Sequence, residues 1–136
     1  MRYLLVLLVM SSVNAQISDS KIIDIVDVLK VVETNRNPKA IGDSGRAYGI
    51  LQIHKICVTE VNSKFNTNFS HEDMFNEEKA ELVAVLYLKI GVNVFYKKYK
   101  RHATEEDLVR GFNGGIYSGY LKDSTRRYYK RYLEYR

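Results

Sequence analysis

The stretch that decides the fold covers residues 32–53 and reads V-E-T-N-R-N-P-K-A-I-G-D-S-G-R-A-Y-G-I-L-Q-I. Glu33 stands where a strongly apolar segment stops, and the chain's only proline, Pro38, follows shortly after it. A glycine-flanked turn at 42–45 then carries Asp43. The stretch therefore supplies one carboxylate from a helix end and a second from a tight turn, an arrangement that suits paired acid and base catalysis.

The segment that leads to Glu33 has the spacing of an amphipathic helix. Its start offers three N-cap candidates, Ser18-Asp19-Ser20, and Ile22, Val26 and Leu29 follow at helical intervals. Glu33 comes one turn after Leu29, so it continues the line of the apolar face. Because a carboxylate at the edge of a core is costly to ionise, we expect the pKa of Glu33 to be raised.

The rest of the chain reads as mainly helical around one small β-like segment. Pro38 makes 35–39 a loop, and 47–53 has the pattern of a short strand or extended segment. Capping boxes are indicated at 70–73 and 104–107. Helices are predicted over 55–64, about 76–100, 104 to the Gly114–Gly115 pair, and from a cap at Asp123 or Ser124 to the C-terminus. We expect an α+β fold, a helical bundle around the central helix at 76–100 with a small β-like hairpin segment.

The first fifteen residues have the character of a secretory signal peptide. Arg2 gives a positive start, residues 3–10 are an unbroken apolar run, and Val13 and Ala15 fit the small-residue positions of a cleavage site. The run is far shorter than the roughly 20 residues needed to span a bilayer. We therefore predict removal of residues 1–15, export to the periplasm or the cell exterior, and a single domain over 16–136; an uncleaved anchor and a buried N-terminal helix are the alternatives.

Composition and charge narrow the choice of partners. The 136 residues are 46% hydrophobic and 27% charged, as in globular proteins, with a formal charge of +5 that becomes +4 when Arg2 is removed. The basic excess lies at 97–101 and 126–136, which favours an anionic partner or forms solvated helix faces. The single cysteine, Cys57, stands between apolar neighbours, so we expect a buried structural thiol.

Motifs for metals, nucleotides and nucleic acids are missing from the sequence. The three histidines, His54, His71 and His102, lack the spacing of a metal site, and no phosphate-binding or dinucleotide fingerprint is present. We therefore expect no metal, no cofactor and no nucleic-acid partner.

Glu33 and four later motifs together resemble the lysozyme superfamily, in particular its branch of SLT-type lytic transglycosylases and goose-type lysozymes. The motifs follow in the order of that branch and span essentially the whole chain after residue 15. They are Asn37-Pro38-Lys39-Ala40, Gly49-Ile50-Leu51-Gln52, Phe112-Asn113-Gly114-Gly115 and Thr125-Arg126-Arg127-Tyr128.

This resemblance implies a lysozyme-like fold and a monomeric muramidase that cleaves the glycan strand of peptidoglycan between N-acetylmuramic acid and N-acetylglucosamine. It implies that Glu33 is the general acid, that Gln52 and Asn113 line the cleft, and that Tyr128 supports Glu33's site or touches the sugar. Tyr48 is a further expected cleft residue.

Asp43 is the position at which the branches of the family differ. An aspartate in a Gly-Asp turn fits the base of goose-type lysozymes, whereas many lytic transglycosylases lack it and form 1,6-anhydro products. Gly42-Asp43 therefore favours hydrolysis with Asp43 as the base, although aspartate is also a common turn residue that bonds its own backbone. His54 stands where goose-type enzymes have another aspartate, and Phe112 where many transglycosylases have tyrosine.

Three alternatives to a hydrolase follow from the same residues. The nearest is a lytic transglycosylase that uses the same Glu33. A non-catalytic peptidoglycan-binding module would keep the cleft without needing a carboxyl group of raised pKa. A basic helical domain that binds nucleic acid would explain the charge but not the motifs.

Overall fold

The computed structural model describes residues 16–136, and within this range it is mainly helical, as predicted. The expected signal peptide, residues 1–15, lies outside the described residues. Five α-helices and a three-stranded antiparallel sheet make up the described fold. The helices are α1 (Asp19–Thr34), α2 (Lys55–Phe65), α3 (Glu77–Tyr99), α4 (Glu105–Gly114) and α5 (Asp123–Tyr135), and the strands are β1 (Ile41–Gly42), β2 (Ala47–Tyr48) and β3 (Ile53–His54).

Helix α1 has the predicted start and the predicted buried face. The side chain of Ser18 accepts a hydrogen bond from a backbone N–H of the first turn, which confirms it as the N-cap. Asn35, with a φ of 50°, ends the helix in the left-handed conformation. All three predicted core positions are buried: Ile22, Val26 and Leu29.

The predicted single strand over 47–53 is wrong, because the segment folds back on itself. Tyr48 of β2 pairs with Ile53 of β3, and β2 also pairs with β1. The four residues between these strands form a turn closed by a 3.0 Å bond from the Gln52 N–H to the Gly49 carbonyl. Gly49 and Gln52 both adopt positive φ angles, 78° and 51°, which an extended strand does not allow.

The long helix α3 is central, and it packs against α1, α2 and α4. Asn76 caps its start, close to the predicted boundary. The capping box at Ser70 and Asp73 is formed by reciprocal bonds of 2.9 and 3.2 Å, but it begins only a 3-10 turn over Glu72–Phe75. In the described chain, residues 16–136, no helix combines the length and the apolarity that a membrane crossing requires.

The two C-terminal helices differ in how well their caps were predicted. Thr104 and Asp107 form the complete capping box expected for α4. The predicted cap of α5 is wrong, because Asp123 and Ser124 lie inside the helix and Lys122 precedes it without a side-chain cap. The side chain of Thr125 instead bonds the Lys122 carbonyl at 2.8 Å and so fixes this helix start.

An ion cluster around the buried Lys30 joins α1 to α3. Lys30 is 4% exposed, and its Nζ lies 3.1 Å from Glu77 and 2.7 Å from Glu81. Partial desolvation of Lys30 lowers its pKa, but the hydrogen bonds that Lys30 donates to the two carboxylates, and their charges, outweigh it, so that the pKa is raised overall. The cluster therefore holds the N-terminal half of α3 against the C-terminal half of α1, the half that ends in Glu33.

Candidate active site

A cleft of about 550 Å³ opens between the C-terminal end of α1, the small sheet, the start of α2 and the end of α4. Four of the six predicted site residues line it: Glu33, Asp43, Gln52 and Asn113. The other two predicted residues, Tyr48 and Tyr128, do not line this cleft. The sequence indicated these four residues individually, and the fold shows that they line the same cleft.

Glu33 is half-buried in the wall of the cleft, in the last turn of α1. The adjacent Thr34 donates a 2.8 Å hydrogen bond to the Ile50 carbonyl, which ties this helix end to the turn between β2 and β3. Desolvation by the surrounding protein raises the pKa of Glu33 to about 7, and the Tyr128 hydroxyl and the Arg131 charge only partly oppose it. A large fraction of Glu33 is therefore protonated near neutral pH, as a general acid must be.

Tyr128 reaches Glu33 from α5, 95 residues further along the chain. Its hydroxyl donates a 2.5 Å hydrogen bond to Oε1 of Glu33, and the side chain is 9% exposed. From the same helix, Arg131 donates a 2.5 Å bond to the Val32 carbonyl. Tyr128 therefore supports the carboxyl group of Glu33, which is one of the two roles expected for it, and α5 fixes the orientation of that group.

Asp43 lies in the turn between β1 and β2, and both of its carboxylate oxygens are engaged. Oδ1 is 3.0 Å from Nη2 of Arg46, and Oδ2 is 3.2 Å from Nε2 of His54. The residue has a φ of 48°, as a turn aspartate can. The side chain of Asp43 nevertheless contacts two other side chains, whereas the turn interpretation predicts bonds to its own backbone.

Gln52 forms part of the cleft wall, and its backbone has a strained, left-handed conformation. Its φ is 51°, and its Nε2 donates hydrogen bonds of 3.2 Å to the Ala40 carbonyl and 2.9 Å to the Gly49 carbonyl. Both N–H groups of this amide are therefore used within the protein. Gln52 closes the turn between β2 and β3 and holds it against the chain that precedes β1.

Tyr48 points away from the cleft. Its ring stacks on His71, with centroids 3.7 Å apart, and it lines a separate cavity of about 390 Å³ beside α2. Because side chains alternate across a strand, its neighbour Ala47 faces the cleft instead. Tyr48 is thus not brought together with Glu33.

Residues that the sequence analysis did not assign to the site also line the cleft. His54 contributes an imidazole beside Asp43, while Tyr87 of α3 and Phe112 of α4 contribute aromatic surface. Cys57 lines the cleft and is buried, as predicted, and desolvation raises the pKa of its thiol. His54 and Phe112 carried a sequence signal, His54 two residues after Gln52 and Phe112 directly before Asn113 in its motif.

Comparison with known proteins gives no relative: no protein-family model matches the chain, and no curated protein or solved structure is significantly similar. The family resemblance therefore stays a prediction from the motifs, and the functional argument rests on the geometry of the cleft.

The raised pKa of Glu33 predicts how the stability of the fold depends on pH. Between pH 4.5, its ordinary pKa, and about pH 7, the folded protein retains a proton that the unfolded chain has released. The free energy of unfolding therefore falls as the pH rises through this window. Glu33→Gln removes that slope, so the variant should exceed the parent in stability by about 1–3 kcal/mol at pH 8 and gain less at pH 4.5. Urea denaturation at both pH values measures this, and equal gains at both would contradict it.

Removal of the Tyr128 hydroxyl should act on Glu33 in two ways. Tyr128→Phe deletes a hydrogen bond that lowers the pKa of Glu33, so the alkaline limb of any acid-dependent activity should move to higher pH. The carboxyl group also loses its fixed orientation, and kcat should fall by about 10-fold to 100-fold. Tyr129→Phe, on the adjacent half-buried tyrosine, is the matched control. A limb that stays in place or moves to lower pH would refute the role of the hydroxyl.

Proposed function

We propose that this chain has a lysozyme-like fold and is an exported muramidase that cleaves the glycan strands of peptidoglycan between N-acetylmuramic acid and N-acetylglucosamine. The observation that carries the proposal is the carboxyl group of Glu33, which lines an open cleft with its pKa raised to about 7. A carboxyl group in this state can protonate a glycosidic oxygen at neutral pH.

The surroundings of Glu33 fit a sugar substrate. The cleft combines an exposed amide at Asn113 with the aromatic side chains of Tyr87 and Phe112, and N-acetylated sugars offer hydroxyl and amide groups together with apolar ring faces. The protein's formal charge of +5 favours encounter with an anionic cell wall and raises the association rate more than the specificity.

The test is to incubate the purified protein with purified, protein-free peptidoglycan and to identify the released fragments by mass spectrometry. A muramidase releases fragments that end in reducing N-acetylmuramic acid. Fragments lighter by one water, with a 1,6-anhydro terminus, would assign the chain to the lytic transglycosylases instead. Binding to the wall without release of fragments would refute catalysis and indicate a non-catalytic module.

A further inference from the structure

His54 and Asp43 lie in close contact inside the cleft that contains Glu33. Nε2 of His54 lies 3.2 Å from Oδ2 of Asp43, and all three side chains line the same space. The His54 backbone is fixed because the residue pairs with Ala47 in the sheet and directly precedes α2. Its side chain is 44% exposed, so water reaches the imidazole.

We propose that His54 is the base that accepts a proton from the attacking water, and that Asp43 acts through His54 as its positioning residue. The proposal rests on the proposed muramidase function and changes the expected assignment of the base from Asp43 to His54. It identifies a catalytic residue that the motifs of the chain do not name.

Asp43 is poorly placed to act as the base itself. Arg46 donates a 3.0 Å hydrogen bond to Oδ1, and Nε2 of His54 lies 3.2 Å from Oδ2, so each of the two oxygens already has a neighbouring side chain. The negative charge of Asp43 is instead directed at the imidazole ring.

The pairing also determines which nitrogen of His54 can act. A carboxylate at Nε2 favours the tautomer that carries its proton on Nε2, which leaves the lone pair on Nδ1. A neutral imidazole can accept a proton on the ring nitrogen that carries the lone pair. His54 can therefore take up a proton at Nδ1 while Asp43 holds the ring.

The reaction then balances with two groups of the chain. The water oxygen forms a bond to the anomeric carbon of the N-acetylmuramic acid unit, and one water proton goes to Nδ1 of His54. The bond from that carbon to the glycosidic oxygen breaks, its electron pair stays on this oxygen, and the oxygen takes the proton of Glu33. Because water attacks the face opposite the leaving group, the configuration at the anomeric carbon is inverted. The proton on His54 returns to Glu33 through solvent.

Other charged and titratable groups near His54 enter the pH dependence. Asp43 and Arg46 approach it from the turn after β1, and Lys55 follows it at the start of α2. Glu33 and Cys57 share the cleft with it, from α1 and α2, and Tyr87 does so from α3. Glu33 must carry its proton to act, so the alkaline limb of the activity profile is assigned to Glu33.

The experiment measures kcat, KM and the pH profile on purified peptidoglycan for the parent, His54→Gln, Asp43→Asn and the control His102→Gln. His54→Gln should lower kcat by at least about 10²-fold with little change in KM. Asp43→Asn should cause a smaller loss of kcat, because the carboxylate next to the imidazole ring is removed while the ring remains. The control should match the parent.

Two further measurements separate a base from a structural residue. Added imidazole should restore part of the activity of His54→Ala, which also decides the matter if His54→Gln does not fold. Proton NMR of the first product formed should show the inverted anomer at the new reducing end.

Several results would overturn the proposal. They are a parent-like rate for His54→Gln, no rescue of His54→Ala by imidazole, or a product whose anomeric carbon keeps its configuration. A 1,6-anhydro product would also overturn it, because such a product forms without the addition of water. If cleavage still depends on Glu33 in these cases, the proposed function stands and only the role of His54 falls. If the parent protein releases no fragments, both proposals fall.

Discussion

Replacement of Glu33 by glutamine is expected to lower the rate of peptidoglycan cleavage by about 10²–10⁴-fold, the largest effect on activity that we expect from a single substitution. Glutamine keeps the shape of the side chain and can still accept the hydrogen bond from Tyr128. It cannot deliver a proton to the glycosidic oxygen, however. The loss should therefore fall on kcat, with KM nearly unchanged, because binding does not require the proton.

The measurement is the initial rate of turbidity loss of a purified peptidoglycan suspension, together with quantified soluble fragments. Glu134→Gln makes the same chemical change at an exposed position of α5 and should match the parent. Thermal unfolding should show that Glu33→Gln is folded and, above pH 7, more stable than the parent. A folded variant that cleaves within a few-fold of the parent rate would exclude Glu33 as the acid.

Replacement of Gly49 by alanine should cause the largest loss of stability, more than about 3 kcal/mol. Gly49 has a φ of 78°, where a Cβ is strained, and that Cβ would lie 1.8 Å from the Met74 carbonyl oxygen. This oxygen belongs to the backbone of the 3-10 turn, so relief requires movement of a whole segment. The turn between β2 and β3 would be displaced, and the cleft wall at Gln52 with it.

Gly45→Ala is the matched control for the steric part of this effect. Gly45 has a similar φ of 85°, but a Cβ there meets nothing within 4 Å. Its substitution should cost only the backbone strain, about 1–2 kcal/mol. Urea denaturation of both variants measures the difference, and equal losses would show that the contact with Met74 is unimportant.

Helix boundaries were predictable wherever a cap depends on neighbouring residues. Ser18 and the Thr104–Asp107 pair satisfy N–H groups within the first turn of their own helices, so the sequence contains all the necessary information. The start of α5 was missed because Thr125 bonds backward to the Lys122 and Gly119 carbonyls and is itself held by Arg110 of α4. The cap of α5 therefore depends partly on a tertiary contact, which the local sequence does not reveal.

The strand prediction failed for a related reason. Residues 47–53 have the composition of one strand, but Gly49 and Gln52 reverse the chain within it. The side chain of Gln52 stabilises that reversal through the Ala40 carbonyl, twelve residues earlier. The reversal also turns Tyr48 toward His71 and away from the cleft, so Tyr48 does not line the cleft that the sequence predicted it to line.

The sequence by itself determined that the chain is mainly helical and that Glu33 continues the buried line of α1, because helical periodicity and caps act over one or two turns. Only the tertiary structure decided what surrounds that carboxyl group. Tyr128 reaches it from α5, and Asp43 meets His54 across the small sheet. These contacts depend on how distant elements pack. The helical pattern predicted that the pKa of Glu33 is raised, and desolvation by that packing raises it to about 7.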